Sequence, residues 1–205
     1  MKAEEYKKWL NLLDIPTQFE TERLIIRLLE DEDAEELHQG VAESRETILE
    51  FTNWCGTGYE TVDDVKAKIR HSQAEFYNRN YLRFFMVEKS TGKLAGLIAQ
   101  HCKTHSVPAW EISCSVFNGF TRQGYATEAT KAMIEMAFET FQANCVIIGT
   151  DTENKASQKV IERLGFTYEV TLREQMYNWN QTKLFNFVRF SLIRPEYEAN
   201  KALYQ

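Results

Sequence analysis

The chain has 205 residues, 43% of them apolar and 26% charged, with only three prolines, which excludes disordered, collagen-like and disulfide-scaffold classes. A formal net charge of −6 argues against nonspecific attraction to nucleic acid and suits a cationic ligand better. The longest stretch free of Asp, Glu, Lys and Arg, Thr140 to Thr150, falls short of the roughly 20 residues a membrane helix needs.

The N-terminal sequence MKAEEYKKWLNLLDIP mixes acids and lysines without a sustained apolar run, unlike a secretory leader, so a cytoplasmic location is expected. The four cysteines, Cys55, Cys102, Cys114 and Cys145, lie far apart and read as reduced, mostly buried thiols. Without repeats or a linker, residues 1–205 read as one domain, with residues 1–18 as an N-terminal extension.

In chain order, residues 3–13 suit a short helix with Trp9, Leu10 and Leu13 on one side. Residues 23–28 place Leu24, Ile26 and Leu28 on one face, as a half-buried strand does. Asp31 and the acids after it open a helix carrying Ala34, Leu37 and Val41, and the Thr61/Asp64 pair has the spacing of a capping box. Residues 82–89 and 94–102 form a hairpin across Ser90-Thr91-Gly92-Lys93. Along 110–117, Trp110, Ile112, Cys114 and Val116 alternate with Glu111, Ser113 and Ser115, so Glu111 points away from Trp110.

A loop with Gly119 and Gly124 leads into a helix whose stripe is Ala129, Met133, Met136, Ala137 and Phe141. Residues 145–150 suit a central strand, and a helix from about 154 ends at Gly165. Strands at 167–173 and 184–193, joined by a polar turn at 178–182, complete an α+β architecture with a mixed sheet covered by helices. His101-Cys102-x-x-His105 lacks further ligands at sensible spacing and reads as a hairpin end, so no metal is expected.

The segment Phe120-Thr121-Arg122-Gln123-Gly124-Tyr125-Ala126-Thr127-Glu128-Ala129 carries the chemistry, because a helix N-terminus offers unpaired N–H groups and a positive dipole end to a phosphate. Gly124 and Ala126 leave the backbone open to close approach. Neither a dinucleotide fingerprint nor a P-loop is present.

This segment resembles the acyl-CoA pyrophosphate loop of the GNAT N-acetyltransferases, Gln/Arg-x-x-Gly-x-Gly/Ala. Thr21-Glu22-Arg23-Leu24-Ile25-Ile26-Arg27-Leu28, followed by Asp33-Ala34, is similar to the opening of the RimJ/RimL branch. Asn154-Lys155-Ala156-Ser157, running on to Leu164-Gly165-Phe166, resembles that branch's Asn-x-x-Ser helix. The likeness spans roughly residues 19 to 193. It implies a mostly antiparallel sheet with a splay between two parallel strands, and direct transfer of acetyl from acetyl-CoA to an amine. It further implies that backbone amides of Arg122, Gln123, Gly124, Tyr125, Ala126 and Thr127 hold the pyrophosphate. The strand ending at Val116 and Phe117 would pair with the pantetheine, Asn154 would orient it, and Ser157 would protonate the thiolate.

A lysine-like amine with pKa near 10.4 must lose a proton before attack, at a cost of roughly 4–5 kcal/mol at pH 7, whereas an α-amine near 8 needs only about 1 kcal/mol. Glu111 is the candidate base, since related enzymes place a carboxylate on that strand. Thr121 stands where the family has Gln or Arg, with Arg122 and Gln123 available to compensate. Ile161 stands where many members carry a tyrosine acid, and Met176 where some carry a glutamate base, with Glu174 two residues away on the same face.

The resemblance implies an acceptor site near 29–80 and 174–184. The expected activity is acetylation of a primary amine, an α-amino group in preference to a lysine side chain, by a monomer or homodimer. Alternatives are a small-molecule amine acceptor or a noncatalytic acyl-CoA-binding regulator.

Overall fold

Alternating segments become strands and 3.6-periodic segments become helices in the computed structural model of the protein, which describes residues 1–178 and 180–204. Helix α1 (Ala3–Leu12) leads into strands β1 (Gln18–Glu20) and β2 (Leu24–Arg27). Helices α2 (Ala34–Leu49) and α3 (Val62–Tyr77) follow, then β3 (Leu82–Glu88), β4 (Leu94–Thr104) and β5 (Ala109–Val116). Helix α4 (Tyr125–Glu135) runs on as a π-turn at Met136–Thr140 and is followed by β6 (Cys145–Asp151) and α5 (Lys155–Arg163). The chain closes with β7 (Thr167–Tyr177), β8 (Leu184–Ile193) and α6 (Arg194–Ala199).

The local signals explain why these elements begin and end where they do. Thr61 accepts from the Asp64 amide and the Asp64 carboxylate returns to the Thr61 amide, which satisfies two orphan donors at the start of α3. After α5, Gly165 takes φ +78°. Its N–H reaches Glu162 while that of Phe166 reaches Ile161, the paired bonds of a Schellman cap.

The eight strands form one sheet in the order β1-β2-β3-β4-β5-β6-β8-β7. Every neighbouring pair is antiparallel except β5 with β6. That parallel pair is short: Ala109, Trp110 and Glu111 face Cys145, Val146 and Ile147, and pairing then stops. Beyond it β5 stays on β4 as far as Val116, and β6 stays on β8 as far as Asp151. Each strand keeps its outer partner, so the sheet opens between them.

Two cores sandwich the sheet. Helices α1, α4, α5 and α6 bury Trp110, Ile112, Leu82 and Phe84 on one side, whereas α2 and α3 cover Leu97, Ala99, Phe85 and Val87 on the other. The N-terminal segment is part of this packing, because the Tyr6 hydroxyl donates to the Phe141 carbonyl and accepts from the Trp110 indole.

Three expectations change. The strand placed at 167–173 extends to Tyr177, with register shifts at Tyr168/Val170 and Leu172/Met176. Glu174 lies inside the second shift with φ +49°, so simple alternation with Met176 does not apply there. The four cysteines are free, but only Cys55 is fully buried. In the expected turn at 178–182, Asn178 accepts from the Thr182 and Lys183 amides, while Trp179 lies outside the described residues, as does Gln205 of the expected 1–205 domain.

Candidate active site

The turn between β5 and α4 is built on two residues in left-handed backbone, Arg122 (φ +61°) and Gly124 (φ +86°). Among the described residues, none of the six successive N–H groups from Arg122 to Thr127 donates to a protein acceptor; the first helical bond belongs to Glu128. Consecutive free amides curled at the positive end of an 11-residue helix make an anion-binding concavity. The donor set therefore fits a diphosphate.

The side chains around the turn are differently employed. Thr121 bonds the Asn118 carbonyl at 3.1 Å and Gln123 bonds the Gly119 carbonyl at 3.2 Å. Of the two residues expected to compensate Thr121, only Arg122 is exposed and unengaged among the described residues. Tyr125 contributes its N–H alone, because its ring is buried and its hydroxyl donates to the Glu88 carboxylate.

The turn is braced by residues quoted above only as likenesses. Glu128 accepts from the Thr21 hydroxyl at 2.6 Å and from the Arg23 amide and Nε at 2.7 Å each. Arg23 also donates to the Gln123 carbonyl at 2.8 Å and lies 4.7 Å from the Tyr125 ring centre. Burial by itself would raise the Glu128 carboxyl, but the Thr21 hydroxyl and the Arg23 amide and guanidinium outweigh it and hold it below the ordinary glutamate range. The pair is separated by 105 positions, and no sequence spacing signals it.

At the open edge of β5, the Phe117 N–H donates to Ala95 on β4 and its carbonyl accepts from Phe120, while its ring packs against Gly40 in the second core. Phe117 is therefore committed elsewhere than expected. Alternation turns the N–H and C=O of Val116, Cys114 and Ile112 toward the splay.

Across the splay, the Asn154 Oδ1 accepts from the Ser157 amide at 3.0 Å, capping α5. That cap leaves the asparagine amide donors free, and the half-buried Ser157 hydroxyl makes no hydrogen bond among the described residues. Ile161 is core.

Glu111 stands at the last paired position before the sheet opens, on the face opposite Trp110. Its carboxylate holds the Lys103 ammonium at 2.9 Å and has His101 Nε2 at 3.5 Å. Lys103 sits at the register shift between Cys102 and Thr104. A bulge of this kind re-aims a side chain, and strand periodicity does not show it. His101 stacks on Tyr81 at 5.1 Å, and burial holds it below the ordinary 6.5; Glu111 opposes this and Lys103 adds to it. The segments expected to frame an acceptor converge, since Phe51–Asn53 and Met176–Asn178 line one narrow cleft.

Residues 23–167 match a protein-family model described as an acetyltransferase (GNAT) domain. The chain is 27% identical over 183 residues to "Putative ribosomal N-acetyltransferase YdaF" of Bacillus subtilis (strain 168), covering 88% of this chain and 96% of that one. It is 25% identical over 177 residues to the spermidine N(1)-acetyltransferase of Escherichia coli (strain K12), covering 85% and 88%. In fold it superposes on the microcin C7 self-immunity acetyltransferase MccE, solved with acetyl-CoA and AMP, at a TM-score of 0.79 and 19% identity over 87% and 97% of the two chains.

Proposed function

The chain belongs to the GNAT acetyltransferase family, and on that premise we propose that it moves the acetyl group of acetyl-CoA to an α-amino group of a peptide or protein. The observation that carries this reading is the pairing of a free-amide turn with an open β5/β6 edge, which suits a diphosphate joined to an extended amide-bearing arm.

In this reading the amides from Arg122 to Thr127 hold the diphosphate, Val116 pairs with the arm, and an amide donor of Asn154 orients it. Acetyl-CoA, when bound, supplies an acetyl thioester. Glu111 takes the proton that the amine gives up as the N–C bond forms. As the C–S bond breaks, the Ser157 hydroxyl gives its proton to sulfur and is reprotonated from solvent.

The preference for an α-amine rests on the proton balance. A carboxylate is by nature a far weaker base than an amine, and this one is occupied by the Lys103 ammonium at 2.9 Å. It suffices for an amine needing about 1 kcal/mol to deprotonate and serves poorly one needing roughly 4–5 kcal/mol. A small amine such as a polyamine is the second reading, favoured by the likeness to the spermidine enzyme. The cytoplasmic location expected from the sequence stays part of the reading. CoA release measured with short peptides carrying free or blocked N-termini, and with spermidine, tests it; turnover on spermidine alone would overturn the α-amine assignment.

A further inference from the structure

Two arginines on the Glu111 face of the sheet have no hydrogen-bond or ion-pair partner among the described residues. Arg83 lies between Leu82 and Phe84, and Arg189 between Val188 and Phe190; all four neighbours belong to the first core, so both arginines point to the opposite face. Glu111 points the same way, since Trp110 and Ile112 also belong to that core. Both arginine side chains are half-buried, and each has its Nε sealed from solvent with no acceptor. Neither guanidinium forms a hydrogen bond or ion pair with any described residue. The other arginine with an unmatched buried Nε, Arg79, bonds the Phe76 and Leu13 carbonyls through its remaining nitrogens.

A half-buried cation with no counter-charge is costly, and in a chain of net charge −6 it is not a by-product of basic composition. The coenzyme's diphosphate does not answer it, because the amide turn opens α4, which packs on the other side of the sheet. Arg83 lies on β3, two strands from Glu111 on β5, and its guanidinium rests 5.2 Å from the Tyr81 ring centre. Its row, through Ala99, meets Ser113, two residues beyond Glu111. The two Cα positions are thus about 12 Å apart from strand spacing and rise. Both side chains stand off the same face rather than toward each other, so that span matches an acceptor residue and its neighbour laid across it. Arg189 flanks the splay from its far side, paired with Gly149 on β6 and Val170 on β7.

We propose that Arg83, with Arg189, is a specificity determinant that selects acceptors carrying a carboxylate close to the reacting amine, such as a peptide N-terminus with an acidic side chain at its second position. The inference rests on the α-amine reading and narrows it. It also separates the two acceptor classes, since unpaired guanidiniums on this face repel a polycation and attract an acidic peptide.

The test measures CoA release at saturating acetyl-CoA for two matched acceptor pairs: Ser-Glu-Gly-amide against Ser-Gln-Gly-amide, and 4-aminobutanoate against 4-aminobutanamide, with spermidine alongside. The expected result is a kcat/KM about 10- to 100-fold higher for each carboxylate-bearing member, expressed mainly in KM. Arg83→Met should erase most of that preference, Arg83→Lys should keep part of it, and Arg189→Met should reduce it. Equal kcat/KM within both pairs, an acid preference that survives both methionine variants, or spermidine as the best acceptor would overturn the proposal. Transfer to peptides without acid preference would leave the α-amine reading standing. Acid preference confined to the aminobutanoate pair would remove the α-amine reading and keep the arginine site. Turnover of none of these acceptors would overturn both.

Discussion

Arg23 and Glu128, 105 residues apart, join the start of β2 to the first turn of α4 through a two-point contact of the Arg23 amide and guanidinium with one carboxylate. Because Arg23 also ties down the Gln123 carbonyl, the pair fixes the peptide planes of the free-amide turn. Glu128→Gln keeps the shape but removes the charge. Since the Arg23 side chain is 44% exposed, solvent limits the loss to about 1 kcal/mol. The expected outcome is a roughly fivefold weaker CoA affinity by calorimetry, with the acceptor KM unchanged. Glu128 is held below its ordinary 4.5, so the brace is intact above that pH and is lost as pH falls through the lowered folded value.

Ser157→Ala should lower kcat by about a hundredfold while CoA binding changes less than about twofold, because the amide turn is untouched. Asn154→Ala should behave differently. It removes the α5 cap as well as the arm contact, so stability should fall by about 0.5–2 kcal/mol in urea titration alongside a weaker CoA affinity.

Gly96 lies in β4 with φ +152°, and a Cβ there would meet the Ser115 carbonyl oxygen and stand 2.9 Å from the Val116 Cα. Backbone atoms cannot swing aside as a side chain would. Gly96→Ala should destabilise the chain by about 2–4 kcal/mol, read from the urea midpoint, and should also displace the Val116 edge that faces the splay. An unchanged midpoint would contradict this packing.

His101 is held below its ordinary 6.5 chiefly by burial, so the unfolded chain binds this proton more readily than the folded one. Stability should therefore decline as pH drops from 6.5 toward the lowered folded value, before the carboxylates titrate. Thermal melts between pH 5 and 7.5 should show that slope in the parent and a flatter one in His101→Gln.

Much of this architecture is legible in the one-dimensional pattern because its causes are local. The Thr61/Asp64 box, the Asn154 cap and the Gly165 terminator each act within five residues along the chain. The opposed faces of Trp110 and Glu111 follow from strand alternation alone. The turn at 122–127 is likewise legible, because a left-handed glycine before an amphipathic helix leaves the same amides free whatever packs around it.

Where the site departs from that pattern, the cause is long-range. The bulge that brings Lys103 to Glu111 breaks the period on which strand reading depends, and Phe117 is claimed by Ala95 and Gly40, from elements far along the chain. Sequence alone determined which segments are strand or helix and where the free-amide turn lies, since backbone sterics and nearest-neighbour hydrogen bonds decide those. Only tertiary structure decided which charges meet, Arg23 with Glu128 and Lys103 with Glu111, and which find no ion-pair partner among the described residues, Arg83 and Arg189, because ion pairing depends on how two cores close on one sheet.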